Sequence, residues 1–207
     1  MSVIEREVTE VVAAPVSASY VKCEVPVWKA ASTDKTRPAL RGVGFASRDG
    51  VTYCVATDSY MLAAVPVEGV PAEWCGAIVP LEAAKLWQKS GKRNTPAPVL
   101  TIDRAANTCT VVTDDGATSF ALVEGAAPKV IELVPDKYLA DSFDTSPVLG
   151  EFGLNPCLMV SVMQALGGKL GVRVRSIGAT RGLFVQARNS NKGYLPGFAL
   201  VMPIKVD

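Results

Sequence analysis

The sequence predicts an α+β fold in which antiparallel sheets carry helices on one face, assembled from repeated β-α-βββ modules. Three observations lead to it. Hairpin signals run through most of the chain, two helices carry their own start and stop residues, and one order of elements recurs: strand, Pro-started helix, hairpin, closing strand. At 207 residues, 49% of them apolar and 20% charged, the chain can bury a core without disulfides or metals.

The first module spans "KCEVPVWKAASTDKTRPALRGVGFASRDGVTYCVATDSYMLAAVPVE". It has strands, a tight hairpin turn at Arg48-Asp49-Gly50, and only a short helical segment around Val27 to Ser32. The second opens with the strand before Pro80 and the helix "VPLEAAKLWQKSGK", which has Pro80 in the first turn, Glu82 near the positive helix end and a stop around Ser90-Gly91. Its strands follow in "VLTIDRAANTCTVVTDDGATSFALVEG", with turns at Arg104 to Asn107 and Asp114 to Gly116.

The third module holds the helix "LNPCLMVSVMQALGG", with Asn155 as N-cap, Pro156 just inside and Gly167 past the end. Alternation in "VRVRS" puts Val172 and Val174 on one face and Arg173 and Arg175 on the other. A turn at Gly178 to Gly182 leads to the next strand, and the loop "SNKGYLPG" leads to a last strand in "FALVMPIKV". The expected division is a domain over 1–136, a Pro-, Asp- and Ser-bearing linker over 137–150, and a half domain over 151–207. Within 1–25, "EREVTEVVAAPVSASYVKCEV" reads as an added strand or an added helix.

Composition removes several function classes. A net charge of +1 excludes binding to nucleic acid by bulk charge, so any such contact must come from arrangement. Five cysteines without a CxxC pair read as reduced thiols in a cytoplasmic protein, and no stretch is apolar enough for a membrane span or signal peptide. With no histidine, zinc sites and Ser-His-Asp or Cys-His catalysis are out, and no phosphate-cradling glycine loop is present. No cofactor or metal is expected. An enzymatic reading rests on Asp58, Asp103, Asp114 and Asp115 as metal carboxylates, against which stands their placement at turns.

Five segments in order, "TRPALRGVGF", "VATDSYMLAAV", "AIVPLEAAKLWQ", "GLNPCLMVSVMQAL" and "FALVMPIKV", resemble successive segments of the bacterial DNA polymerase III sliding clamp, the beta subunit of the replicase. The first two modules are similar to that family's middle domain and the third to the second half of its last domain. The resemblance implies the DNA-clamp fold and a binding function without bond chemistry: encircling duplex DNA independently of sequence and tethering a polymerase or other replication proteins through a pocket for a short peptide. It also implies a homo-oligomer, in a compact form of the kind a phage or mobile element would trim from the host design.

Carried onto this sequence, the pocket would be built by Arg37, Thr57, Leu62 and Pro128 on one wall and by Val201, Met202, Pro203 and Ile204 on the other. Leu62, Val201 and Ile204 also read simply as strand core. Tyr60 and Met61 stand where the family has His and Arg, Ala127 where it has an aromatic, and Lys205 where it has Arg. On the Pro80 helix, Glu82, Lys85, Lys89 and Lys92 share a polar side opposite Leu81, Ala84 and Trp87 or Gln88. Such helices face phosphates in the family, which makes Lys85, Lys89, Lys92 and Arg93 the DNA-contact candidates, with a solvated helix face as the plain reading. The competing function is a clamp-like module that never encircles DNA and only binds replication proteins.

Overall fold

A computed structural model of the chain describes residues 25–88, 97–134, 154–167, 172–176, 182–189 and 193–203. Strands β1 (Gly42–Arg48) and β2 (Val51–Thr57) pair in antiparallel register around Asp49 and Gly50. Both turn residues lie in the left-handed region, at φ 52° and 77°, the two-residue geometry whose twist matches that of the flanking strands. Strand β3 (Met61–Val67) pairs with β2, and the short β4 (Ile78–Pro80) pairs with β1. The helical segment of the first module is one 3-10 turn, Val27–Ala30.

Helix α1 runs from Leu81 to Trp87. Pro80 precedes it in extended conformation rather than sitting in its first turn, and Gln88 closes it by donating its N–H to Ala84 O at 2.9 Å. The helix ends earlier than the sequence suggests, and Ser90 and Gly91 lie outside the described residues. Strands β5 (Val99–Asp103), β6 (Thr108–Thr113) and β7 (Gly116–Ala121) form a separate three-stranded sheet. Asp103 accepts from Ala106 N at 2.9 Å, and Asn107 turns at φ 52°, which fixes the first of its two turns.

Helix α2 (Pro156–Ala165) starts as its sequence indicates: the Asn155 side chain accepts from Cys157 N at 2.9 Å, with Pro156 in the first turn. Gly167, at φ 65°, follows its end. Strands β8 (Val172–Ser176), β9 (Leu183–Asn189) and β10 (Gly193–Val201) complete the third module. The segment "SNKGYLPG" is not all loop, because β10 already begins at Gly193 and absorbs a register shift between Tyr194 and Phe198.

One seven-stranded sheet has the order β4-β1-β2-β3-β10-β9-β8. Its centre is the antiparallel pair β3·β10, in which Leu62 faces Leu200 and Met61 faces Val201. The expected linker, 137–150, falls outside the described residues, while the segments on its two sides share this sheet.

Alternation along β3 and β10 separates two cores. Met61, Ala63, Ala199 and Val201 join the larger one, which also gathers Trp74, Trp87, Leu100, Val111 and Val162 from the helices and the smaller sheet. Leu62, Ala64, Phe198 and Leu200 point the other way, into a smaller core with Tyr53, Val55, Phe184, Ile131 and Val134. In that core the Phe184 and Phe198 rings stack at 5.3 Å, and Tyr53 meets Phe198 edge-on at 6.0 Å.

Candidate functional site

The turn between β2 and β3 is locked by its own side chains. Asp58 Oδ1 accepts from Tyr60 N and Met61 N, both at 2.8 Å, and Thr57 Oγ1 donates to Met61 O at 2.7 Å. Ser59 takes φ 84° inside this bracket. The result pushes Tyr60 outward, 62% exposed, while Leu62 is buried on the sheet face below it. Immediately beyond β10, Met202 N donates to Tyr60 O at 2.9 Å, which brings the end of the third module against this turn.

The opposite wall is a strap, Pro128 to Val134, that lies over the smaller core. It contains a 3-10 turn, Val130–Leu133, whose Ile131 side chain is buried with that of Val134 next to it. Arg48, at the β1–β2 turn, donates Nη1 to Ile131 O at 2.7 Å and also to Val134 O, satisfying carbonyls at the end of that turn. Near the start of the strap, Ala127 packs over Gly44, where an added Cβ would come within 2.7 Å of the alanine's own. A large side chain at either position would lift the strap from the sheet.

Between the turn, the strap and the end of β10 lies an open groove of about 700 Å³. Its floor and turn side are Thr57, Ser59, Tyr60, Met61, Leu62 and Leu200; Pro128, Glu132 and Leu133 come from the strap; Leu40 and Met202 close the ends. Leu133, Tyr60 and Met202 are 68%, 62% and 44% exposed, so three of the large apolar side chains that reach solvent converge on one place.

Of the pocket residues expected from the sequence, Thr57, Leu62, Pro128 and Met202 line this groove. Arg37 stands beside it: Nη1 donates to Ser59 Oγ at 3.0 Å, and Nε lies 3.8 Å from Asp34. Asp34 accepts from Thr36 N and Oγ1, bonds that hold its carboxyl below the usual range and set the turn that presents Arg37. Val201 does not line the groove, because strand alternation turns it to the opposite face, where it is fully buried. Leu200 takes the position expected of it. Pro203 is half-buried beyond the strand and is not among the lining residues, and Ile204 lies outside the described residues.

The helical elements share a second surface. Lys85 is exposed on α1 and its Nζ lies 5.3 Å from the centroid of the Trp28 ring, which Lys29 Nζ approaches at 5.7 Å. Lys29 also donates to Gln164 on α2 at 2.7 Å, so side chains from three helical segments meet around one indole. Glu82, on the polar side of α1, is 3.9 Å from Arg41. Lys89, Lys92 and Arg93 lie outside the described residues. Helix α2, "PCLMVSVMQA", carries no charge.

For the carboxylates, Asp58 and Asp103 use their oxygens on turn N–H groups. Among the described residues no three Cys, Asp or Glu side chains come together in a way that could hold a metal ion. No helix among them is long and apolar enough to cross a membrane.

No protein-family model matches the chain, and no curated protein matches it in sequence. Solved structures do match, and they are bacterial sliding clamps. The DNA polymerase III beta subunit of Thermotoga maritima aligns with a TM-score of 0.63 at 18% identity, over 94% of this chain and 68% of its own. The Helicobacter pylori beta clamp, solved with carprofen, gives 0.66 at 14% identity over 94% and 68%. The Bartonella birtlesii clamp, solved with griselimycin, gives 0.62 at 17% over 88% and 63%. The fold is therefore the clamp fold, and the chain spans about two thirds of the length of the clamps it resembles.

Proposed function

We propose that this protein is a sliding-clamp-like processivity factor, without bond chemistry of its own, that tethers a polymerase or other replication proteins by holding a short peptide in the groove between β3, β10 and the strap. The observation that carries the reading is the convergence of Tyr60, Met202 and Leu133, all exposed, on a groove floored by Leu62 and Leu200. Methionine adapts its shape, and tyrosine gives an apolar body with a polar tip, which suits peptide capture. Arg37 at the rim would orient a polar group of the peptide.

Burying one large peptide side chain there would contribute about 1.5 to 3 kcal/mol, so micromolar binding, about 8 kcal/mol, would need several such contacts along a short segment. Fluorescence anisotropy with a labelled peptide carrying leucine and phenylalanine tests it. Leu62→Ala and Met202→Ala should each weaken binding about tenfold, in line with the loss of one such contact. Unchanged affinity in both variants would place the peptide elsewhere.

The DNA part of the reading uses the helical surface, with Lys85, Lys89, Lys92 and Arg93 contacting phosphates independently of sequence, in a soluble cytoplasmic protein. The uncharged α2 favours the second reading, a module that binds replication proteins without encircling DNA. Retention on closed circular duplex, lost on linearisation, would separate them: the encircling protein slides off an open end and the module is never retained.

A further inference from the structure

We infer that the groove selects peptides in which a lysine or arginine adjoins the apolar anchor, with Glu132 as the residue that reads it; the inference rests on the groove being a peptide site. Among the described residues, Glu132 is the only charged side chain that lines the groove, and it is exposed on the strap beside Leu133. Among the described residues it has no ion-pair partner.

Among the described residues, the cations nearby are held by other groups or are absent from the lining. Arg37 stands at the rim, bonded to Ser59 and 3.8 Å from Asp34, and is not among the lining side chains. Arg48 lies behind the strap, with Nη1 on the carbonyls of Ile131 and Val134 and Nε 3.5 Å from Asp49. Lys129 precedes the strap's 3-10 turn and is not among the lining side chains. Tyr60 and Met61, on the facing turn, contribute no positive charge. An apolar cleft with one carboxylate and no cation among its described lining side chains attracts a cationic neighbour of the anchor and repels an acidic one.

The experiment compares peptides of one length and one leucine–phenylalanine anchor, with Lys, Ala or Glu placed on either side of it, by anisotropy against the full chain. The expected order is Lys tightest and Glu weakest on one side of the anchor. A step of about two- to fivefold, flattened by high salt, corresponds to an exposed ion pair. Glu132→Gln should erase the order and Glu132→Lys should reverse it, with the thermal melt unchanged. If all three peptides bind alike, or the order survives in Glu132→Lys, the inference is wrong while the groove reading stands. If none binds, or Leu62→Ala leaves binding intact, the groove reading falls and takes the inference with it.

Discussion

Cys109 and Cys157 sit in contrasting thiol environments. Cys109 is 1% exposed on β6, and burial pushes its thiol up to about 11, whereas Cys157 is exposed in the first turn of α2. A thiol reagent at neutral pH should modify Cys157 quickly and leave Cys109 untouched until the protein unfolds, as peptide mapping would show. The raised thiol also ties stability to alkali. The unfolded chain gives up this proton first, so Cys109 favours the folded state fully below about pH 9, and that contribution fades as pH climbs towards about 11. Denaturant melts across that interval should show the fall, and Cys109→Ala should flatten it.

Side-chain detail of this kind was only partly legible in the sequence. Leu62 rests on the resemblance of "ATDSYML" to the clamp segment; the turn itself, which Thr57 and Asp58 lock through bonds to nearby backbone, was not read from the sequence. Val201 was misplaced because the apolar run "FALV" does not show which face each residue takes; only the pairing of Leu200 with Leu62 settles it.

Among the elements, the strap depends most on a single distant contact. Arg48 joins a hairpin turn to carbonyls of Ile131 and Val134, and no spacing rule links those positions. Arg48→Met should cost about 1.5 to 3 kcal/mol in a urea melt, the range for hydrogen bonds from a charged group, less whatever the guanidinium's partial exposure screens. It should also weaken groove peptides, since Pro128, Glu132 and Leu133 would lose their position. Lost stability with unchanged peptide affinity would mean that the strap holds its shape without the latch. The helices were the more legible elements: Asn155, Pro156 and Gly167 carry local physics that tertiary packing did not override. The strap had no such signal, being a short 3-10 turn whose apolar residues are ordered by the sheet beneath them.

For the whole molecule, the recurring module order was visible in sequence, whereas the way modules one and three join was not, because strand pairing between distant segments leaves no local trace. The joined sheet still ends in edges. Strand β7 lies at the edge of its sheet and carries neither a charge nor a proline, while β8, at the end of the larger sheet, alternates valine with arginine. An edge with no such protection tends to recruit another strand. Light scattering should therefore give a mass above that of one chain, and Thr118→Lys on β7 should lower it without shifting the melt. A single-chain mass at high concentration would leave no ring to encircle anything.

The β3·β10 pairing also makes the groove a gauge of the protein's own integrity. Leu200 and Met202 join its lining only while β10 is zipped onto β3, so on the proposed function a chain whose tail has peeled away would not recruit. By the same linkage an occupant holds the tail in place: at a hundredfold excess over its dissociation constant it adds about 2.7 kcal/mol to the docked state. On the proposed function, recruitment and closure of the sheet would then be one equilibrium, in which each partner that arrives fastens the molecule that receives it.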